Sequence, residues 1–255
     1  MRFASLGSGS QGNCLIVDAG ETKLILDCGF STRATLEKLA RLGISPEEIA
    51  GVLVTHEHSD HIAGVFKFAC RYKIPVYLTH GTREAAPAAR SQFPECRVID
   101  SHASLAIGKL EVRPFPVPHD AREPVQYVFS DGAHRLGVLT DSGSITQHIV
   151  DMLSACDALV LECNHDSELL ATSAYPAMLK RRIAGNLGHL ANEQAASLLR
   201  QIRTSQLQHI VAAHLSEHNN RPQLAARALA SALSCAEGWI GVADQESGFG
   251  WRELL

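Results

Sequence analysis

The sequence predicts an α/β domain in which helices cover the outer faces of β-sheets. Short apolar runs that end in turn residues alternate with segments of helical spacing along all 255 residues, the pattern of packed layers of strands and helices. The composition, 45% hydrophobic and 20% charged, is that of an ordinary globular protein. No repeat, low-complexity segment or linker divides the chain. We therefore expect a single domain, residues 1–255, long enough to bury a sizeable core.

The first half is predicted to contain short strands separated by Gly-rich turns. Cys14–Asp18 and Thr22–Asp27 are apolar runs around a short Gly-containing turn, a hairpin signal. Ser31–Leu42 has helical spacing and a hydroxyl residue as N-cap, and a second helix is expected from Asp60 towards Tyr72. Further strands are predicted at Gly51–Thr55, Pro75–Thr79, Arg97–Asp100, Leu110–Phe115, Val125–Ser130 and Leu136–Thr140.

The second half continues with strands and adds more helices. The predicted strands are Ala158–Cys163 and His209–Ala213. The predicted helices are Ser144–Ser154, Pro176–Ile183, Asn192–Ile202 and Arg221–Leu233. The segment after this last helix contains both Trp residues of the chain but no motif that indicates a function.

Charge and cysteine usage exclude several classes of protein. The formal net charge of −4 lacks the basic excess of a dedicated nucleic-acid-binding domain, so contact with nucleic acid would need a local basic patch or bound cations. Seven scattered cysteines without C-x-x-C indicate neither a disulfide framework nor a structural zinc knuckle. No secretory signal is evident, and no apolar run approaches the ~20 residues that span a bilayer. We therefore expect a cytoplasmic protein without membrane contact.

The strongest chemical signal is the loop T-H-E-H-S-D-H, which follows an apolar strand at residues 55–61. His56 and His58, two positions apart in an extended loop, point the same way and can bind one ion. Asp60 and His61 begin the next helix and face a neighbouring point, so the loop offers ligands to two cations. Three His and one Asp within six positions are hard to explain by packing, because four desolvated polar groups need partners that a metal supplies.

Three further candidate ligands follow later strands at similar points. His119 comes after the strand 110–115, Asp141 after the strand 136–140 and His214 after the strand 209–213. A lone His at a strand end is usually an ordinary surface or core residue, but the shared location favours metal binding. A carboxylate such as Asp141 can bridge two ions. Imidazole and carboxylate ligands suit zinc, manganese, iron or nickel and do not distinguish them.

H-x-H-x-D-H after an apolar strand, followed by separate His, Asp and His residues, resembles the signature of the metallo-β-lactamase superfamily. The resemblance covers residues 8–220. It implies an αββα sandwich, in which two mixed β-sheets are flanked by helices and all ligands lie on one rim. By that likeness one metal would be bound by His56, His58 and His119, the other by Asp60, His61 and His214, and both by Asp141.

Five further stretches narrow the resemblance. They are S-G-S-x-G-N at 8–13, E-x-N-H-D at 162–166, Y-P-x-x-L-K-x-R-I at 175–183, G-H-L-x-N at 188–192 and H-L-S-x-x-N-N at 214–220. In this order they are similar to the YycJ/WalJ family, bacterial proteins with 5′→3′ exonuclease activity on DNA. The departures are Cys163 within the second stretch and Ala191 where the family often has Ser, and neither removes a candidate ligand.

Electrostatics and the resemblance together imply phosphodiester hydrolysis. Two divalent cations carry four positive charges and Asp60 and Asp141 remove two, so the site should attract an anion. A hydroxide that bridges the metals would be the nucleophile. Asp60 and His189 are the candidate catalytic residues. His189 resembles an extra His of phosphodiesterases in this superfamily, which can donate a proton to the leaving oxygen or bind the phosphate. His189 could instead be an ordinary residue before a helix.

The candidate substrate-binding residues are Ser10, in the Gly-rich turn, and Asn164 and His165, which could instead orient the ligands. Lys180, Arg181 and Arg182 form a basic cluster that could hold a nucleic-acid backbone. Basic residues at a helix end are more often a solvated face favoured by the helix dipole.

We therefore expect a dinuclear metal-dependent DNA exonuclease. A phosphodiesterase that acts on a small cyclic phosphate or RNA stays open and fits the acidic net charge better. A metal-binding regulatory protein with vestigial catalysis stays open as well. A thioesterase like glyoxalase II would share the metal motif but leave G-H-L-x-N and E-x-N-H-D unexplained. The identity of the metal, the cleavage polarity and the oligomeric state do not follow from the sequence.

Overall fold

The computed structural model describes residues 1–86 and 95–255. Within these ranges two mixed seven-stranded sheets are flanked by helices. Elements are numbered in chain order. The first sheet contains β1 (Arg2–Gly7), β2 (Cys14–Asp18), β3 (Lys23–Leu26), β4 (Ile49–Leu53), β5 (Val76–Thr79), β6 (Cys96–Ile99) and β14 (Phe249–Glu253). The second contains β7 (Leu105–Ile107), β8 (Leu110–Pro116), β9 (Val125–Ser130), β10 (Arg135–Leu139), β11 (Ala158–Glu162), β12 (His209–Ala213) and β13 (Gly241–Val242).

Each sheet is antiparallel at one side and parallel at the other. The first has the strand order β14-β1-β2-β3-β4-β5-β6 and becomes parallel from β3 onwards. The second has the order β13-β12-β11-β10-β9-β8-β7 and is parallel from β10 to β13. Because parallel strands end at the same edge of a sheet, residues that follow them are brought together.

The helices lie outside the two sheets. They are α1 (Thr32–Arg41), α2 (Ser59–Ile62), α3 (Val65–Tyr72), α4 (His80–Ala85), α5 (Gln147–Leu153), α6 (Ser167–Thr172), α7 (Ala177–Ile183), α8 (Asn192–Gln201) and α9 (Pro222–Leu233), with 3₁₀ turns at Pro46–Glu48 and Glu237–Trp239. None of the helices in the described part of the chain has the length and apolar character needed to cross a membrane.

The core has three apolar layers that follow from the alternation of side chains along the strands. Leu24 and Leu26 of β3 point between the two sheets, whereas Ile25 points outward beneath α1 and α3. In the second sheet Val160 of β11 faces the first sheet, and Leu159 faces the helices on the other side. Both faces of the central strands are therefore buried, which explains why these strands are continuous apolar runs. The predicted αββα sandwich is confirmed.

The predicted helix from Asp60 to Tyr72 is two helices, and this prediction was wrong at Gly64. A Cβ added at Gly64 would lie 1.9 Å from the backbone oxygen of Phe30. Gly64 N also donates to Cys28 O at 2.8 Å. The close approach of the 28–30 loop ends α2 and forces a new start at α3. The sequence prediction also missed the strands β1, β7, β13 and β14 and the helices α4 and α6.

Candidate metal centre

The candidate ligands converge at one edge of the two sheets. His56 and His58 lie in the loop after β4, and Asp60 and His61 lie in α2, which follows that loop. The remaining candidate ligands follow strands of the second sheet: His119 after β8, Asp141 after β10 and His214 directly after β12. Tyr127 Oη donates to Val54 O at 2.9 Å and so joins the two sheets beneath the loop. The structure thus brings all seven predicted ligands together.

Three residues at this edge turn sharply out of their strands. Asp27, Asp141 and His214 have φ angles of 58°, 56° and 54°, in the left-handed region that non-Gly residues rarely adopt. Each such residue costs on the order of 1–3 kcal/mol and persists only where its surroundings hold it. Here the turn directs a carboxylate or an imidazole to the space between the sheets.

The first donor group consists of His56, His58 and His119, with one potential ligand atom each within 4.8 Å of the others. His56 Nδ1 lies 2.9 Å from Thr55 Oγ1, and His56 Nε2 is buried without a hydrogen-bond partner in the described part of the chain. His119 Nδ1 donates to Gly188 O at 3.0 Å. The Nε2 atom of His119 therefore keeps its lone pair free for a metal, and it lies 3.2 Å from His58 Nδ1. Burial lowers the pKa of His56 and of His119, so both are neutral imidazoles that can bind a metal.

The second donor group consists of Asp60, His61 and His214. Asp60 Oδ2 lies 3.2 Å from His61 Nε2 and 3.3 Å from His214 Nε2. Asp141 lies between the two groups, with Oδ2 3.0 Å from His61 Nε2 and Oδ1 4.0 Å from His119 Nε2. Oδ1 also lies 3.5 Å from His214 Nδ1, so Asp141 is closest to the second group and reaches towards the first, a position from which a carboxylate could contact two ions.

The chemistry of these donors fits divalent metal ions. Burial opposes charge on His61 and His214, yet the carboxylates of Asp141 and Asp60 raise the pKa of His61 well above its usual value and that of His214 to about 10. Without a metal the carboxylates therefore hold protons on these imidazoles. A cation supplies the same positive charge, and it also gives the orphaned His56 Nε2 a partner.

Asp27 is a positioning residue that the sequence analysis missed. Its Oδ2 accepts from His61 Nδ1 at 2.8 Å and from Thr55 Oγ1 at 2.8 Å, and its Oδ1 accepts from Thr55 N at 2.8 Å. It thereby fixes the tautomer that leaves His61 Nε2 free for a metal. The available signal was an acidic residue directly after a buried strand, the same signal that marked Asp141.

Replacing Asp27 with Asn is expected to weaken metal affinity by roughly 10- to 100-fold, the usual cost of losing the carboxylate behind a ligating His. Competition against a chromophoric zinc chelator measures this. Asp18→Asn is the matched control. Asp18 is as buried as Asp27 but lies at the other end of the β2–β3 hairpin, away from the donor groups, where its Oδ1 accepts from Gly20 N at 2.7 Å. Unchanged affinity in Asp27→Asn would show that Asp27 does not position His61.

Glu162 is the second missed residue, although it opens the E-x-N-H-D stretch. It is fully buried at the end of β11, and its Oε2 accepts from the backbone N of Ser142 at 2.9 Å and of Leu190 at 3.1 Å. Its Oε1 accepts from His189 Nδ1 at 2.8 Å. Burial opposes ionisation of Glu162, but His189 lowers its pKa to about 2. Burial likewise opposes charge on His189, and Glu162 outweighs it and raises the pKa of His189.

The predicted substrate-binding residues occupy different places. Ser10 is exposed and lines a cavity of about 430 Å³ together with Asp60, Asp141, His189 and other residues of the site. Asn164 is buried, and its Nδ2 donates to His214 O at 3.1 Å. His165 is buried too, and its backbone O accepts from Asn192 N at 2.9 Å. Neither lines the cavity. The contact with His214 favours the alternative that Asn164 orients a candidate ligand, whereas His165 Nδ1 is buried without a hydrogen-bond partner in the described part of the chain.

The basic cluster ends α7 at the rim of the same cavity. Arg182 lines the cavity, and its Nε donates to Asp120 Oδ2 at 2.6 Å. Lys180 Nζ donates to Ala171 O at 2.7 Å, and Arg181 is exposed. The cluster is thus not uniform, because one of its three side chains faces the candidate metal centre.

Comparison with known proteins agrees with this geometry. Residues 22–211 match the family model described as the beta-lactamase superfamily domain. The chain is 38% identical to exodeoxyribonuclease YycJ of Bacillus anthracis, over 100% of this chain and 93% of the relative. It is 31% identical to exodeoxyribonuclease WalJ of Streptococcus pneumoniae, over 94% of this chain and 91% of the relative.

Among solved structures, the metallo-β-lactamase fold protein YhfI from Bacillus subtilis superposes with a TM-score of 0.77 at 18% identity, over 99% of this chain and 98% of that one. At this identity the likeness concerns the fold alone. The two sheets, the clustered His and Asp donors and the full-length relatives agree. The chain therefore belongs to the metallo-β-lactamase superfamily and, within it, to the YycJ/WalJ-like family of metal-dependent hydrolases that act as nucleases or phosphodiesterases.

Proposed function

We propose that this protein is a 5′→3′ DNA exonuclease that works as a single domain, residues 1–255, with two divalent metal ions. The observation that carries the proposal is that Asp141 and His189 line the same cavity. Asp141 lies beside the two donor groups, and His189 is hydrogen-bonded to the buried carboxylate of Glu162. Two full-length relatives named exodeoxyribonucleases support DNA as the substrate.

The residues suggest a division of the metal ligands. One ion would be held by His56, His58 and His119, the other by Asp60, His61 and His214, and Asp141 would contact both. Bound divalent ions activate water as a nucleophile at neutral pH and stabilise negative charge on the phosphoryl oxygens. Zinc or manganese is the proposed metal, and iron or nickel can also bind these N and O donors.

His189 is proposed to protonate the leaving oxygen. Its Nδ1 is engaged by Glu162 Oε1 at 2.8 Å, so the other ring nitrogen is the one that can carry a proton for the substrate. His189 lines the cavity and is partly exposed, whereas Glu162 is fully buried. The carboxylate behind the ring keeps the imidazole oriented and stabilises its charged form.

Asp60 is proposed to stay ionised throughout. Burial favours its neutral form, but His61 and His214 hold its pKa far below the usual range. Asn13 Nδ2 also donates to Asp60 Oδ2 at 3.2 Å. An anionic oxygen fixed in this way can bind a cation and accept a hydrogen bond from the attacking water.

Incubation of metal-loaded protein with end-labelled double-stranded DNA, single-stranded DNA and bis-p-nitrophenyl phosphate tests the proposal. We expect stepwise loss of nucleotides from the 5′ end, and no loss of label when metal is removed with a chelator. Internal cuts, or loss from the 3′ end, would contradict the assigned polarity.

The alternative substrate is a small cyclic phosphodiester or RNA. The net charge of −4 and the cavity of about 430 Å³ favour the small cyclic diester, because a small anion needs no extended basic surface and fits a cavity of this size. Hydrolysis of the small diester with DNA left intact would move the proposal to this class. The hypothesis of a regulatory protein with vestigial catalysis is not favoured, because the candidate donors lie close enough together to hold metal ions beside His189.

A further inference from the structure

We infer that the segment Tyr175–Ile183 is the subsite for the nucleotide next to the cleaved phosphodiester, with Tyr175 stacking on its base and Arg182 binding its phosphate. This inference rests on the proposed nuclease function. It assigns a role to a segment that has none in the proposed catalytic mechanism. It predicts preference for a nucleic-acid chain over a small diester.

One face of the segment forms a wall of the cavity that contains the metal centre. Tyr175, Leu179, Arg182 and Ile183 line this cavity. The spacing of Leu179, Arg182 and Ile183 places these three on one side of α7, and Tyr175 lies two positions before the helix begins. Met178 points away and is 76% exposed. No residue of α7 is buried, so this helix stands over the site and contributes little to the core.

Arg182 is placed to bind a phosphate beside the metal centre. Its Nε donates to Asp120 Oδ2, while 62% of the side chain remains exposed. A guanidinium has five N–H donors, so donors remain for a phosphate. Asp120 Oδ1 lies 3.6 Å from His119 Nε2 and 3.8 Å from His58 Nε2. The guanidinium is therefore separated from the first donor group by a single carboxylate.

Tyr175 offers an aromatic ring at the same opening. It is partly buried and lines the cavity, and the ring of His218 stands edge-on to it with ring centroids 6.1 Å apart at 82°. His218 lies in the loop after the candidate ligand His214. Stacking on an aromatic ring tolerates every base, because each base has a π-face. The subsite should therefore bind nucleotides without strong sequence preference.

Charge favours a nucleic-acid occupant over a protein or a lipid. The last turn of α7 carries Lys180, Arg181 and Arg182 within a chain of net charge −4, so positive charge is concentrated at the rim of the cavity that contains the metal centre. A ring and a guanidinium on the wall of one cavity match a base and its phosphate. A small diester such as bis-p-nitrophenyl phosphate has no second phosphate to reach Arg182.

Fluorescence anisotropy of a labelled single-stranded 12-mer, with metal-loaded His189→Ala protein as the slow-cleaving parent, tests the inference. Tyr175→Ala in this parent should raise Kd by roughly tenfold, the scale of one base–aromatic stack, and Tyr175→Phe should restore it. Arg182→Ala should lower the slope of log K against log salt by about 0.7, the value of one phosphate contact, and Arg182→Lys should keep the slope.

Arg181→Ala is the matched control, because it removes the same charge from the same turn outside the cavity lining. An equal change of slope in Arg181→Ala and Arg182→Ala would indicate a diffuse solvated face and overturn the inference. If unmodified protein degrades DNA but the Tyr175 and Arg182 variants bind like the parent, the subsite alone is wrong. If the parent binds no oligonucleotide while unmodified protein cleaves the small diester, the subsite and the DNA function both fail.

Discussion

Asp141→Ala is expected to lower phosphodiester hydrolysis by at least about a thousandfold, with loss of bound metal. Its oxygens lie 3.0 Å from His61 Nε2 and 4.0 Å from His119 Nε2, so removing it affects both donor groups. Charge stabilisation by metal ions contributes several kcal/mol to such reactions, and about 4 kcal/mol corresponds to a thousandfold change in rate.

Loss of Asp141 also changes the protonation of the site. The carboxylate of Asp141 contributes to the raised pKa of His61 and of His214. A His whose pKa is raised in the folded protein stabilises the fold fully at pH values below its unfolded pKa. This stabilisation is lost as the pH rises through the raised, folded-state pKa. The metal-free variant should therefore lose stability relative to metal-free parent most clearly near neutral and lower pH.

Elemental analysis of metal content, initial rates on bis-p-nitrophenyl phosphate and thermal unfolding together measure these effects. Asp157→Ala is the control, because Asp157 is another largely buried acid whose Oδ2 accepts from Arg135 N at 2.7 Å at the opposite end of β11. Full metal content and an unchanged rate in Asp141→Ala would exclude Asp141 as a metal ligand.

His189→Ala is expected to lower kcat on DNA by roughly 10²- to 10⁴-fold, the usual contribution of a positioned general acid, with metal content unchanged. The decrease should be much smaller for bis-p-nitrophenyl phosphate, because p-nitrophenolate leaves without protonation. A structural role for His189 would instead lower both activities equally.

The pH profile gives an independent test of the same residue. Burial lowers the pKa of His189, but Glu162 and Asp141 outweigh burial and raise it, so the acid form persists above its ordinary range and is lost as pH rises through the raised value. Activity on DNA should therefore fall on the alkaline side, and His189→Ala should lack this decrease. His148→Ala, at an exposed histidine in α5, should keep the parent profile. An alkaline decrease that survives in His189→Ala would assign it to another group.

The candidate ligands could be predicted from the sequence because the patterns that mark them extend over only a few neighbouring residues. The T-H-E-H-S-D-H loop places four donors within seven residues, and its geometry depends only on an extended loop followed by a helix. Strand positions were predictable where both faces are buried, as in Cys14–Asp18 and His209–Ala213, whose bounds agree with the structure. Strand β14 was missed, because it pairs with β1 at the other end of the chain. Strand β1 was missed as well, although it also pairs with the neighbouring strand β2.

The sequence by itself thus determined the fold class, the family and the seven candidate ligands. Only the tertiary structure decided which partners hold the side chains of the site. Asp27 contacts the candidate ligand His61 from 34 positions away, Glu162 contacts His189 from 27 and Asp120 contacts Arg182 from 62. The reason is physical. The type and local spacing of the ligands depend on neighbouring residues in the sequence. The hydrogen-bond partner of a buried imidazole depends instead on which strand ends meet at one edge of the sheets.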